Sequence, residues 1–205
     1  MSIALKVVVP PHPLIFHWLA MLRATSTPPS IYATALEELG RWLTYEAIRD
    51  WLPTRIEEIE GNHGRTQGTL VESSITLLVI PIIPNGIHLW NGARRVLPNA
   101  QLCLEGIPSD INEKEGIILL IDQIASADRI IKSLKKIQAQ NVKGNRIRLI
   151  TPLASSTGLK KIGEVFPDLT VHCACIDPEI TTNGEIKPGI GNPVLRLNTR
   201  TKDPN

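Results

Sequence analysis

Ile117-Ile118-Leu119-Leu120-Ile121-Asp122-Gln123-Ile124-Ala125-Ser126-Ala127-Asp128-Arg129 is an unbroken apolar run that ends in an aspartate and turns directly into an amphipathic stretch carrying Ile130, Ile131, Leu134 and Ile137. Continuous apolarity fits a strand covered on both faces, and the spacing that follows fits a helix laid against a sheet. A strand that ends in Asp and passes straight into a helix is a scaffold for a phosphate held at a helix N-terminus.

The same rhythm recurs on either side. Short apolar runs at Ile75–Ile80, Arg146–Ile150 and Thr170–Ile176 alternate with helical patterns over His88–Leu97, Ala127–Gln138 and Ser156–Val165. Strand, helix and strand in repetition predict an α/β fold, a mostly parallel sheet flanked by helices, with ligands at the carboxyl ends of the strands. Those ends are Pro81–Gly86, Asp122–Asp128 and Thr151–Gly158. Before the sheet, Leu14, Ile15, Trp18, Leu19 and Leu22 recur at helical spacing, and Ser30 is placed to cap a longer helix through Leu36, Leu39, Leu43 and Ala47. Gly61 to Gly68 reads as a loop or a turn between short strands, and Thr181 to Asn205 as irregular chain. A length of 205 residues with 42% hydrophobic content suits one domain over 1–205, with a helical part at 12–52 and an irregular part at 177–205.

Charge and cysteine content narrow the classes. A formal net charge of +2 gives no reason to expect a nucleic-acid binder or a membrane-surface protein. No basic N-terminal region precedes a long apolar stretch, so a soluble, cytoplasmic protein is expected. Cys103, Cys173 and Cys175 do not form a disulfide framework; Cys173 and Cys175 share one face of a strand, and reduced thiols follow. His12 and His17 lie five apart and the cysteines have no partner pair, so zinc spacing is absent, as are nucleophile-elbow and Walker patterns.

Several words in a fixed order then resemble one family. His12-Pro13-Leu14-Ile15-Phe16-His17, Leu22-Arg23, and Glu38-Leu39-Gly40-Arg41-Trp42-Leu43-Thr44-Tyr45-Glu46-Ala47-Ile48-Arg49-Asp50 resemble the HPLI-x-H, LRD and GRLLAYEATRD of uracil phosphoribosyltransferases. Pro81-Ile82-Ile83-Pro84-Asn85-Gly86 is similar to PILRAG, and Gly184-Glu185-Ile186-Lys187-Pro188-Gly189-Ile190-Gly191-Asn192 to GYIVPGLGD. The resemblance runs from His12 to about Arg196 and implies a type I phosphoribosyltransferase-like fold. It also implies UMP and pyrophosphate made from uracil and phosphoribosyl pyrophosphate (PRPP), with Mg2+ accompanying PRPP, and a homo-oligomer, a dimer above all.

The ligand-facing words depart from the family pattern. Against DPMLATGGS the chain offers Asp122-Gln123-Ile124-Ala125-Ser126-Ala127-Asp128, one residue shorter, with Ala127 and Asp128 where the glycines belong. A Cβ resists positive φ by roughly 1–2 kcal/mol, and Asp128 adds like charge. Ser126 as a cap with Asp128 in the first turn would make an ordinary helix that needs no anion. Pro84 stands where PILRAG carries arginine, which removes a bidentate guanidinium. The family's GLYRDE word and its long covering arm shrink to the acidic link at Leu104–Asp110, which has no arginine. GDAGDR becomes Gly191-Asn192-Pro193-Val194-Leu195-Arg196. On the resemblance, Asp122, Ala125, Ser126, Ala127 and Asn192 face PRPP, while Ile186, Gly191, Asn192 and Pro193 face uracil.

Three functions follow. The first is a family member that has lost efficient catalysis and serves as a binding, regulatory or assembly protein, with a nucleotide or uracil-like ligand or a protein partner. The second is a working uracil phosphoribosyltransferase. The third is an RNA-binding regulator on the same fold, using Lys132, Lys135, Lys136, Lys143, Arg146 and Arg148. Trp42, Trp51 and Trp90 serve a subunit contact if exposed and the core if not.

Overall fold

The computed structural model describes residues 5–198. In chain order these form β1 (Lys6–Val8), α1 (Pro13–Arg23), α2 (Pro29–Ile48), β2 (Thr54–Gly61), β3 (Gly64–Val71), β4 (Leu77–Pro81), α3 (Gly86–Ala93), β5 (Ala100–Leu102) and β6 (Gly116–Leu120). There follow α4 (Asp128–Gln138), a 3-10 turn, β7 (Ile147–Ser155), α5 (Ser156–Val165), β8 (Thr170–Asp177), β9 (Glu179–Ile180), β10 (Ile186–Lys187) and α6 (Pro193–Asn198).

Six strands pair in the order β1-β8-β7-β6-β4-β5, every pair parallel. The all-apolar runs of β4 and β6 are buried along their whole length, as a doubly covered parallel sheet requires. One core cluster joins the sheet to α1, α2 and α3, and the other joins it to α4 and α5. The type I phosphoribosyltransferase-like α/β architecture expected from the sequence is the one found. From β4 the chain passes through α3 to the edge strand β5, then crosses back to β6 on the other side of β4. That reversal is a topological switch point, where the crevice outside the strand ends is deepest. Asp122 lies two residues past the end of β6 at this crevice, and Asn85 precedes α3 across it.

The helices α2 and α3 approach backbone to backbone. A Cβ on Gly40 would collide with the Leu89 main chain, and one on Gly92 with that of Glu37. Only glycine permits such an approach. Among the described residues no helix is long and apolar enough to cross a membrane.

Several local expectations are corrected. Ser30 does not cap α2: the helix begins at Pro29 with Pro28 as its cap residue, since proline at the first position fits helical φ and lacks the N–H that a cap would serve. The segment from Gly61 to Gly68 is the inner part of a hairpin, whose two eight-residue strands pair from Thr54↔Val71 to Gly61↔Gly64. The strand after the 3-10 turn runs on to Ser155 rather than ending at Ile150. Cys173 and Cys175 do not share a face. Cys173 packs with the α4/α5 cluster and Cys175 against the other. The chain after Thr181 is not irregular up to Asn198, because it holds β10 and α6; the remainder of that stretch, 199–205, lies outside the described residues. Trp42, Trp51 and Trp90 are half-buried and pack on the α1/α2/α3 cluster.

Candidate functional site

The loop that joins β6 to α4 and the loop that leads into α6 form one cleft of about 250 Å³, lined by Asp122 to Arg129 together with Asn192, Pro193 and Val194. Gln123 ties the two loops, its Nε2 donating to the Gly191 carbonyl at 3.4 Å. Of the eight residues expected to face PRPP or uracil, the structure brings Asp122, Ala125, Ser126, Ala127, Asn192 and Pro193 onto this cleft, with Gly191 at its edge. Ile186 is different. It lies in β10, buried in the α1/α2/α3 cluster and away from the cleft lining, because an isoleucine there completes the core.

The junction at Ala127 decides what the cleft can hold. Ala127 is the residue before α4 and adopts φ 65°, ψ 1°, the left-handed conformation that the missing glycines were expected to forbid. Alanine pays roughly 1–2 kcal/mol there, and burial of its methyl against the α4/α5 cluster offsets part of that. The helix carries no side-chain cap, so the N–H groups of its first turn stay open. Ser126 does not cap α4: with Ala127 left-handed, its hydroxyl instead donates to Asp128 Oδ2 at 2.7 Å. That bond, and then Lys161 Nζ at 3.4 Å, hold the Asp128 carboxyl below its ordinary value. Asp128 stays ionised, and the positive charge of Lys161 beside it offsets part of the like-charge penalty.

Behind the junction the loop is braced. Ser155 caps α5 by accepting from Gly158 N at 2.8 Å and donates its own hydroxyl to the Ala125 carbonyl at 2.6 Å. Ile124 exchanges main-chain bonds with β7, from its N to Leu153 O and from Ser155 N to its O. Asp122 is buried, with Oδ2 accepting from Asn85 Nδ2 at 2.7 Å and Oδ1 from Gln123 N at 2.9 Å. Its carboxylate is thus fixed across the switch point, with lone pairs left for hydroxyl donors in the cleft.

The C-terminal loop is held by a second network. Asp177 accepts from Arg23 through both carboxylate oxygens, at 2.9 and 2.7 Å, and from Gly189 N at 2.9 Å. Burial raises its pKa, but the hydrogen bonds from Arg23 and Gly189 outweigh burial and leave it below the usual carboxylate range. Arg196 donates to the carbonyls of Leu22 and Ala24 and lies over the Tyr32 ring, whose hydroxyl reaches Ile190 O. Asn192 uses its side-chain oxygen to cap α6, accepting from Val194 N at 3.0 Å. Of the basic residues considered for RNA, Arg146 donates inward to Asn112 O and Glu115 O and Arg148 stacks on Trp51, which leaves four exposed lysines.

Sequence reasoning missed Asn85, Gln123, Arg129 and Ser155 at this site. Only Ser155 left a signal, as a serine three residues before Gly158 at a strand-to-helix junction; the others act through tertiary contacts that no local pattern encodes.

A parallel α/β sheet with an uncapped helix N-terminus, a buried aspartate and a returning C-terminal loop at its switch point is the framework of the phosphoribosyltransferase class, in which a strand end meets an open helix N-terminus. Residues 9–197 match the family described as uracil phosphoribosyltransferase, and the chain belongs to that family. Among curated relatives, uracil phosphoribosyltransferase of Synechocystis is 35% identical, covering 94% of this chain and 96% of its own. That of Synechococcus elongatus is 32% identical over 96% and 98% of the two chains. The chloroplastic enzyme of Arabidopsis thaliana is 33% identical over 91% of this chain and 68% of its own. Among solved structures, the AQ2163 protein from Aquifex aeolicus superposes with a TM-score of 0.79 at 26% identity, over 94% of this chain and 98% of that one.

Proposed function

We propose that the protein is a uracil phosphoribosyltransferase that forms UMP and pyrophosphate from uracil and PRPP. The observation that carries this reading is the left-handed Ala127 ahead of an uncapped α4, which keeps an anion nest although both glycines are gone. The first-turn N–H groups of α4 receive the 5′-phosphate. Asp122, held by Asn85 and Gln123, accepts from the ribose hydroxyls and places a negative charge beside the ribosyl carbon as positive charge develops there. Main-chain groups around Gly191 and Pro193 bound the base, and the Gln123–Gly191 bond sets that loop against the ribose loop. Among the described residues no group of three or more His, Cys, Asp or Glu could hold a metal ion. Mg2+, if it accompanies PRPP, would be held on the protein side by Asp122, the cleft's one buried carboxylate, and would offset the charge of the diphosphate.

The protein acts as one domain in a reducing, cytoplasmic setting, a reading supported by its three free cysteines. It assembles as a dimer through the β2–β3 hairpin, which among the described residues pairs only with itself and exposes Ile56, Ile59 and Leu70.

A second reading, loss of efficient catalysis with binding retained, is favoured by Asn192, whose side chain is committed to capping α6, and by the short link after β5 that leaves the cleft uncovered. Purified protein incubated with labelled uracil, PRPP and Mg2+ separates the two. UMP formed in proportion to enzyme supports the transferase. A folded protein that binds PRPP and forms no UMP establishes the second reading.

A further inference from the structure

The cleft must hold a ligand with several negative charges, yet its described lining contributes two carboxylates, Asp122 and Asp128, and a single cation, Arg129. Arg129 is the second residue of α4, and its side chain crosses to the neighbouring strand end, where Nη2 donates to the Ile83 carbonyl at 2.9 Å. Nη1 stands 3.9 Å from Asp122 Oδ1, too far for a hydrogen bond but close enough for attraction. One of five guanidinium donors is used, and the side chain is 54% exposed at the mouth of the cleft. Lys161, the next cation, is taken by Asp128.

Resting on the transferase reading above, we infer that Arg129 binds the pyrophosphate of PRPP, reaching over the Ile82–Gly86 loop from the helix that holds the 5′-phosphate. Pro84 in that loop can offer neither a guanidinium nor an N–H. Arg129 places a guanidinium against the adjoining carbonyl of Ile83 from outside the loop. Its tie to Ile83 pre-orients the planar group and leaves the free donors for phosphate oxygens, the bidentate geometry that arginine suits and lysine does not. The residue also bridges the two ends of the ligand's site. Its own N–H belongs to the α4 first turn, while its side chain serves the leaving group, where negative charge grows during transfer.

The test is calorimetric titration of the full chain and of R129Q and R129K with PRPP plus Mg2+, with pyrophosphate plus Mg2+, and with ribose 5-phosphate. Charge-assisted bidentate contacts set the expected scale. R129Q weakens PRPP and pyrophosphate about 10- to 100-fold and ribose 5-phosphate by less than about threefold; R129K, which retains charge without the fork, falls between. Equal affinity of R129Q and the parent for pyrophosphate, or an equal loss for ribose 5-phosphate, overturns the assignment while leaving the transferase reading intact. A parent chain that binds neither PRPP nor pyrophosphate overturns the transferase reading itself. Melting curves confirm that each variant is folded, and R129K keeps the comparison open if R129Q is not.

Discussion

Replacing Gly158 by alanine sets two effects of opposite sign against each other at the point where α5 supports the phosphate-binding junction. Gly158 lies in the first turn of α5, its N–H bound to Ser155 Oγ. In a helix, glycine to alanine is ordinarily worth up to about 1 kcal/mol of added stability. Here the new Cβ would sit 2.9 Å from Ile124 Cγ2 and closer still to the Ala125 carbonyl oxygen, where ordinary contact begins at 3.4 Å. The carbonyl must therefore retreat by about 1 Å, since neither it nor the capped start of α5 is a flexible side-chain end. That movement strains the Ser155–Ala125 hydrogen bond as well, worth about 1 kcal/mol, on top of an overpacking cost of about 1–3 kcal/mol. The balance is a net loss of about 1–3 kcal/mol, a fall in melting midpoint of about 2–4 °C per kcal/mol for a chain of this size. Because Ala125 and Ala127 belong to one rigid junction, a 1 Å displacement should also raise the apparent KM for PRPP, by up to about 100-fold. Chemical denaturation and PRPP-dependent kinetics on the same preparation check both parts. A G158A protein as stable as the parent, with unaltered PRPP dependence, would refute the claim that α5 fixes the junction.

Asp177→Ala leaves the half-buried Arg23 without its bidentate partner and Gly189 N without an acceptor. The expected loss is about 2–4 kcal/mol by denaturant titration, with faster hydrogen exchange at Gly189, and a loss below about 1 kcal/mol contradicts the network's role. His172 is buried with its Nδ1 unbonded, and burial lowers its pKa to about 4, assisted by Arg148 and Lys6 and opposed by Asp50. The folded value lies below the ordinary 6.5, so the neutral ring's contribution is complete above about pH 6.5 and fades as pH falls toward 4, by up to about 3 kcal/mol. His172→Gln should flatten the stability profile in that window relative to the parent; parallel profiles contradict the assignment.

The sheet was legible because a doubly covered parallel strand writes itself as an unbroken apolar run, and β4, β6 and β8 each do so within a few residues of their ends. The β2–β3 hairpin was not. Its strands are exposed on both faces, so Arg55, Glu57, Glu58 and Arg65 occupy positions where a buried strand would show periodic apolar residues. At the site, the family words point to Asp122, Ser126 and Asn192, and all three line the cleft. Their hydrogen bonds were not legible: the Ser126 hydroxyl bonds Asp128 rather than capping α4, and Asn192 caps α6. Ala127 departs from the expectation for a physical reason. Propensity counts the cost of positive φ in isolation, whereas the folded chain brackets this residue between the Ile124 pairing with β7 and a buried contact with the α4/α5 cluster. Arg129 carried no local signal, because its relation to Ile83 spans 46 positions.

Everything proposed for the active cleft depends on the α4 N-terminus accepting a phosphate although Ala127 and Asp128 replace glycines. Titration of the purified parent chain with PRPP and Mg2+ in a calorimeter tests that most directly. Saturable binding with a micromolar dissociation constant, abolished by excess pyrophosphate, is the expected result. Absence of heat up to millimolar PRPP from a folded protein would contradict it and remove the ribosyl donor from the function of this chain.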